Sequence, residues 1–218
     1  MKFFNLHTHK ATNSNSVLEL VNQYPWKFIE NIPHFSIGIH PWYIDLNRIE
    51  RDLEIIEQKL QTKNCLALGE CGLDKRIEID FDLQIKVFES QLKLAQKYQK
   101  PVIIHCVSAF QELIEIKNRL QISVPIIIHG FSKNQILANQ LIANGFYLSF
   151  GKYLFLNPDL EFVFKNSPLE KIFLETDTIS QNIEEVYNLA AKFKKTTVSV
   201  LQKQININFE TVFNFKIS

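Results

Sequence analysis

The chain has 218 residues, with 46% hydrophobic and 22% charged residues, which is the composition of an ordinary folded protein. A chain of this length buries most of its apolar surface in one core, so we expect a single domain over residues 1–218. Lys and Arg number 24 against 23 for Asp and Glu. This balance excludes the strong overall field of a protein that binds nucleic acid or anionic lipid by charge alone.

The sequence also predicts where the protein resides. Residues 1–9 lack a basic leader followed by an apolar stretch, and no apolar run reaches the length of a membrane span, so we expect no membrane partner. The three cysteines, Cys65, Cys71 and Cys106, have no spacing typical of disulfides, and reduced thiols are typical of the cytoplasm. We therefore expect a cytoplasmic protein, and a monomer.

Short apolar runs of strand length alternate along the chain with segments of helical periodicity. The predicted strands are residues 3–6, 17–21, 35–39, 65–68, 102–104, 126–128, 146–149 and 172–174. Apolar residues three and four apart predict amphipathic helices over residues 49–60, 81–95, 110–120, 137–142 and 183–190, and one or two more up to residue 213.

Strand followed by helix, repeated, predicts a parallel sheet whose two faces are both covered. Eight such units favour an α/β fold of the TIM-like (β/α) barrel type. Only about ten residues separate the first two predicted strands, which is too few for a crossover helix. We therefore expect an irregular, shortened first βα unit. An open doubly wound sheet is the competing architecture.

Histidines and carboxylates follow the ends of five predicted strands. His7 and His9 close the first, and residues two apart on an extended chain point to the same side. Each one alone has a structural interpretation, as a hydrogen-bonded core histidine or a helix-capping acid. Together they favour a metal site, because the carboxyl ends of parallel strands meet at one rim of a barrel. The later strand-end residues are Glu70, His105, His129 and Asp177.

Four imidazoles and two carboxylates suit a transition metal better than magnesium alone. Six ligands exceed the three protein ligands of a catalytic zinc site, so two divalent ions that share Glu70 are the economical arrangement. We expect zinc, manganese or magnesium as the cofactor. Two divalent ions together with two carboxylates and a bridging hydroxide keep a net positive charge, which favours an anionic substrate such as a phosphodiester. Asp177 is also a candidate acceptor of the proton from the attacking water.

Seven segments of the chain resemble motifs of the TatD-like metal-dependent hydrolases, and they extend nearly from end to end. They are residues 7–9 (HTH), 38–41 (GIHP), 68–74 (LGECGLD), 91–95 (QLKLA), 101–105 (PVIIH), 129–132 (HGFS) and 174–177 (LETD). The resemblance implies a TIM-like barrel and a metal-dependent deoxyribonuclease. It further implies that one ion is held by His7, His9 and Asp177, and the second by His105 and His129, with Glu70 as the bridge.

Candidate substrate-binding residues follow from the same resemblance. His40 matches a family position near the substrate phosphate, whereas a structural role for a His before Pro is the alternative. Family members usually carry an Arg two residues after the histidine of the fifth strand, and here that position is Val107. Arg76 is a candidate replacement for this cation, with a solvated surface charge as the alternative. Independently of the resemblance, Trp42 follows His40 at the predicted rim and is a candidate for stacking on a base, although most aromatic residues of the chain are expected in the core.

The ligand set predicts a metal-dependent hydrolase that acts on ester bonds, and the resemblance implies a deoxyribonuclease that cleaves DNA phosphodiesters by metal-activated water, with Asp177 and Glu70 as catalytic residues. Two alternatives stay open. One is hydrolysis of a small-molecule amide or ester, which the missing Arg would permit. The other is a catalytically idle barrel that binds another molecule, suggested by a loop after Asp177 that is shorter than in the family.

Overall fold

Buried strands alternate with amphipathic helices throughout the computed structural model, which describes residues 2–215. The strands are β1 (Phe3–Thr8), β2 (Val17–Gln23), β3 (Phe35–Ile37), β4 (Cys65–Asp74), β5 (Val102–Val107), β6 (Ile126–Ile128), β7 (Tyr147–Phe150) and β8 (Ile172–Leu174). The helices are α1 (Ile49–Leu60), α2 (Phe81–Tyr98), α3 (Phe110–Arg119), α4 (Gln135–Ala143), α5 (Lys152–Leu156), α6 (Leu160–Asn166), α7 (Ile183–Lys194) and α8 (Val198–Phe213). No helix in this part of the chain is long and apolar enough to cross a membrane.

All eight predicted strands are present, and the predicted helices correspond to α1, α2, α3, α4 and α7, with α8 as a single C-terminal helix. The irregular first unit is also present, since no helix lies between β1 and β2. Helices α5 and α6 were not predicted, because segments of 5 and 7 residues are too short to show a helical period. Strand β4 continues beyond its predicted end through Glu70 to Asp74, and all of its residues are buried.

The contacts between Cα atoms divide the described chain into two compact units. One unit comprises residues 22–126 and contains β3, β4 and β5, which pair in parallel, together with α1, α2 and α3. Helix α2 begins at the N-cap Asp80, whose side chain accepts a hydrogen bond from the backbone N of Leu83 at 2.8 Å. The pairing of β4 with β5 sets Gly72 opposite His105, so Glu70 and Asp74, two residues to either side of Gly72, flank the position of His105.

The second unit comprises the chain up to Val21 and from Ile127 onward. Its strands pair in parallel as β1 with β2, β6 with β7 and β7 with β8, and Thr8 of β1 forms a parallel bridge with Asp177, three residues after β8. Aromatic packing supports this arrangement. The ring of Phe4 on β1 lies 5.8 Å from Phe173 of β8 and 4.4 Å from Phe209 of α8. Helix α8 therefore packs against the two strands that carry the residues described next.

Candidate metal centre

Asp177 lies beside the two histidines at the end of β1. Its Oδ1 is 3.8 Å from Nε2 of His7 and 3.4 Å from Nε2 of His9. The backbone fixes this geometry, because the Asp177 N donates to the His7 carbonyl at 2.9 Å and the His9 N donates to the Asp177 carbonyl at 3.3 Å. All three ligand atoms lie within 4.8 Å of one another. His7 is buried, whereas His9 and Asp177 are partly exposed, so the group is accessible from one side.

His129 follows β6 in the same unit, with its ring centroid 4.5 Å from that of His7. Its Nδ1 lies 3.4 Å from Oε1 of the buried Glu175, which also accepts a hydrogen bond from the Gly130 N at 2.7 Å. Because the Glu175 carboxylate lies beside Nδ1, the other ring nitrogen, Nε2, is the candidate metal-binding atom of His129. Glu175 was missed in the sequence analysis as a site residue, although it lies within the LETD segment.

A second ligand group lies in the unit of residues 22–126. Oε1 of Glu70 on β4 is 3.2 Å from Nδ1 of His105 on β5 and 3.1 Å from Nε2 of His40. The Asn22 Oδ1 accepts a hydrogen bond from the Glu70 N at 2.8 Å, which fixes the backbone that carries the carboxylate. A side chain at Gly38 would place its Cβ 2.7 Å from the Glu70 carbonyl, so only glycine permits this approach. The ligand atoms of the three polar residues lie within 4.8 Å of one another.

The two ring nitrogens of His40 have different roles. Its Nδ1 accepts a hydrogen bond from the Trp42 backbone N at 3.1 Å, so Nδ1 carries no proton. In the neutral ring the proton is therefore on Nε2, the atom that faces Glu70. An Nε2–H group is a donor rather than a ligand. The geometry thus favours His40 as a hydrogen-bond donor beside Glu70, and its contact with a substrate phosphate stays a prediction.

Asp74, at the end of β4, is a further site residue that the sequence analysis missed. Its Oδ2 lies 3.4 Å from Nε2 of His105 and accepts a hydrogen bond from Nε1 of Trp42 at 2.9 Å. Burial raises the pKa of this carboxyl, but hydrogen bonds from Trp42, from the Arg76 amide and from His105 outweigh burial, and the pKa lies below its usual value. The signal was in the spacing, because residues four apart on a strand share a face, and Asp74 follows Glu70 by four.

The predicted cation Arg76 has an exposed side chain whose Nε lies 3.7 Å from Oδ1 of Asp74. The guanidinium therefore reaches the edge of the second ligand group while most of its surface faces solvent. Val107 ends β5 and pairs with Asp74, so the position at which the family usually has an Arg carries an aliphatic side chain beside the same group.

The three cysteines are free and buried. Burial raises the pKa of the Cys65 thiol to about 12 and raises the pKa of Cys71 well above its usual value. Cys71 is adjacent to Glu70 in sequence, but a protonated thiol is neither a metal ligand nor a nucleophile. Cys71 is therefore not a candidate ligand or nucleophile of the site.

Imidazole nitrogens and carboxylate oxygens are a donor set that suits zinc or manganese, so both ligand groups fit a divalent cofactor. A family model described as TatD related DNase matches residues 1–214. The chain belongs to the TatD-related DNase family. The resemblance found in the sequence is therefore confirmed, and the protein is a metal-dependent hydrolase of this family.

Two relatives of this TatD-family chain carry general names. An uncharacterized metal-dependent hydrolase from Haemophilus influenzae is 28% identical in an alignment of 215 positions, and the match covers 82% of this chain and 81% of that protein. The uncharacterized metal-dependent hydrolase YabD of Bacillus subtilis is 30% identical over 165 residues, which are 73% of this chain and 62% of YabD. The chain thus spans less than two thirds of the length of YabD.

The structural comparison shows the fold. The crystal structure of the TatD homolog YjjV from Escherichia coli covers 98% of this chain and is itself covered to 98%, with a TM-score of 0.82 and 21% identity. This TatD-family neighbour matches the chain over nearly its whole length, and the parallel strands alternate with helices as in a TIM-like barrel. The prediction of a TIM-like (β/α) barrel is therefore confirmed, and the alternative of an open doubly wound sheet is wrong.

Proposed function

We propose that this TatD-family hydrolase is a deoxyribonuclease that cleaves phosphodiester bonds with two divalent ions. The observation that carries the proposal is that imidazole nitrogens and carboxylate oxygens converge in two groups, one of His7, His9 and Asp177 and one of His40, Glu70 and His105, with the atoms of each group within 4.8 Å of one another. One ion would be held by His7, His9 and Asp177. The carboxyl ends of the strands share one rim in this fold, which supports a second ion held by His105 and His129, with Glu70 as the bridge.

When bound, the ions would supply Lewis acidity toward phosphoryl oxygens and lower the pKa of water. The side chains of the protein would supply the proton acceptor and a hydrogen-bond donor. Asp177 is partly exposed, so it can accept the proton of the attacking water and carry it to solvent. The Nε2–H of His40 faces Glu70 at 3.1 Å, and with Glu70 engaged by the ions it would donate a hydrogen bond to a phosphoryl oxygen on which negative charge develops.

The substrate would be held partly by charge. Arg76 is exposed at the edge of the group that contains His105, and a guanidinium can bind a flanking phosphate through two N–H groups. The chain carries no strong net charge, so this local contact matters more than steering by an overall field. We place the reaction in the cytoplasm, a compartment in which the three free cysteines stay reduced.

A second candidate is hydrolysis of a small-molecule amide or ester, and a cavity favours it. A cavity of about 660 Å³ lies beside His9 and Asp177, within the size range of small-molecule sites. Apolar side chains cover part of its wall, so it can accept a compact and partly apolar substrate. The apolar residues are Val17, Ile179 and Ile183.

The decisive experiment is cleavage of a 3′-labelled single-stranded DNA oligomer by protein stripped with chelator and reloaded with manganese, magnesium or zinc. We expect cleavage only with added metal, and its loss in His105→Ala and Asp177→Ala. Glu210→Gln is the matched control, because Glu210 is an exposed acid on α8. Bound metal without DNA cleavage would contradict the proposal, and hydrolysis of small esters by that same protein would establish the second candidate.

A further inference from the structure

Trp42 presents an exposed indole although both of its N–H groups are bonded inside the protein. The side chain is 51% exposed. Its Nε1 donates to Oδ2 of Asp74 at 2.9 Å, and its backbone N donates to Nδ1 of His40 at 3.1 Å. Since these donors are used, what the residue offers to solvent is aromatic surface. The feature that distinguishes this exposed ring is its place beside a candidate ligand group, where a flat aromatic surface can stack on a ligand.

This indole is held in place next to the second ligand group. Asp74 Oδ2 bonds Trp42 on one side and contacts Nε2 of His105 on the other, at 3.4 Å. The ring centroid of Trp42 lies 5.8 Å from that of His105 and 5.1 Å from that of His40, with both pairs near perpendicular. The imidazoles therefore meet the indole edge to face, and one carboxylate fixes both an aromatic ring and a candidate metal ligand.

The backbone under Trp42 is also restrained. Pro41 and Tyr43 flank it in a short 3-10 helix, and the Tyr43 carbonyl accepts a hydrogen bond from the Arg48 guanidinium at 2.5 Å. The Tyr43 ring packs edge-on against Trp26 at 5.7 Å between centroids. Little conformational entropy is therefore lost when a ligand covers the indole.

Resting on the proposed function, we propose that Trp42 is a specificity residue that stacks on an unpaired nucleobase next to the scissile phosphate. Asp74 is the positioning residue that sets the ring relative to His105. Every base offers a π-face, so stacking favours single-stranded nucleic acid without regard to sequence. A base held within a duplex cannot offer its face to a side chain, so paired substrates are cleaved more slowly.

The test compares metal-loaded wild type, Trp42→Ala and Trp42→Phe on two oligomers of equal length and charge, one with bases and one with abasic tetrahydrofuran residues. Loss of stacking raises KM for the base-carrying oligomer by about 5- to 150-fold in Trp42→Ala and leaves KM for the abasic oligomer unchanged. Trp42→Phe restores most of the base-dependent affinity, because a flat ring remains. A purely structural Trp42 would change both substrates equally, and that result overturns the proposal.

Fluorescence provides a readout that does not need cleavage. The chain has two Trp, so Trp26→Phe leaves Trp42 as the single reporter. Its emission, recorded on mixing, is quenched by the base-carrying oligomer and not by the abasic one. If wild type cleaves both oligomers equally well and Trp42 is not quenched, the stacking role is wrong while phosphodiester hydrolysis stands. If neither oligomer is cleaved, the proposed function fails, and the quenching comparison still decides whether the indole binds bases.

Discussion

At the scale of single residues, two buried carboxylates determine what each imidazole can do. Asp74 contacts Nε2 of His105, and Glu175 contacts Nδ1 of His129. In each histidine the nitrogen away from this carboxylate is the one left for a metal ion. His40 differs, because its Nδ1 accepts a backbone hydrogen bond and its Nε2 carries the proton. Three histidines of similar burial therefore have two distinct chemical roles.

This distinction can be tested by His40→Ala. We expect kcat for DNA cleavage to fall by about 10²- to 10³-fold, because one donor to the developing charge is lost. The metal content should stay that of wild type, as measured by mass spectrometry of the reloaded protein. His105→Ala is the comparison and should lose metal as well as activity. Loss of an ion from His40→Ala would show that His40 is a ligand.

The strand-end ligands could be predicted from sequence because each follows an apolar run, which marks its position on the fold. The contacts of Asp74 and Glu175 could not, since their partners His105 and His129 are distant in sequence, and the spacing of Asp74 from Glu70 indicates only the strand face on which it lies. Their role depends on which ring nitrogen they meet. Such a contact is fixed only when β4 pairs with β5 and when the residues after β6 and β8 come together.

At the scale of elements, β4 is the strand on which the second ligand group depends. Its ten residues are all buried, and both Glu70 and Asp74 lie on it. Gly72, between them, has φ of 144° and faces the backbone of His105 on β5. An added Cβ would overlap the His105 carbonyl oxygen. Close approach of the two strands at this point therefore requires glycine.

We expect Gly72→Ala to lower the free energy of unfolding by about 3 kcal/mol or more, since both the φ angle and the overlap oppose it. Gly130→Ala is a matched control. Gly130 also has a positive φ, of 56°, but its added Cβ meets only Oε1 of Glu175, at 3.8 Å. Its cost should be about 1 kcal/mol, from backbone conformation alone. Urea unfolding measures the free energy of unfolding of both variants. An equal decrease in the two would show that the close approach of β4 to β5 is not the cause.

At the scale of the whole molecule, we expect one half-buried ammonium, that of Lys194, to make stability depend on pH. The Lys194 Nζ donates to the carbonyls of Lys165, at 2.9 Å, and of Ser167, at the end of α6. Burial lowers its pKa from 10.5 to about 8, with partial compensation by the negative charge of Glu170. Between about pH 8 and pH 10.5, Lys194 therefore holds a proton in the unfolded chain that it does not hold in the folded protein. The contribution of Lys194 to the free energy of unfolding is therefore lowest below pH 8 and rises up to pH 10.5.

The variant Lys194→Met should remove this rise. The measurement is urea unfolding at a series of pH values from neutral to alkaline, in wild type and in the variant. The exposed Lys192 on the same helix provides the control Lys192→Met, which should keep the wild-type pH dependence. Identical pH dependence in Lys194→Met and wild type would show that this ammonium is not responsible.

The barrel itself could be predicted from sequence, because eight apolar runs separated by helical periods leave few architectures. The predicted convergence of His7, His9 and Asp177 likewise agrees with the structure. The substrate could not be predicted to the same depth. Substrate choice depends on short, polar segments such as the loop after Asp177, and on single residues such as Val107, which stands where family members usually carry an Arg. At such positions neither the periodicity of apolar residues nor the position on a strand constrains the residue type.

The most direct test of the metal centre is the number of ions bound per chain. The protein would be stripped with chelator, titrated with manganese and analysed by mass spectrometry or calorimetry, together with His9→Ala and His105→Ala. The ligand groups predict two ions in wild type and the loss of a different one in each variant. Failure of wild type to bind any divalent ion, or full occupancy in both variants, would contradict a centre built from these strand-end residues.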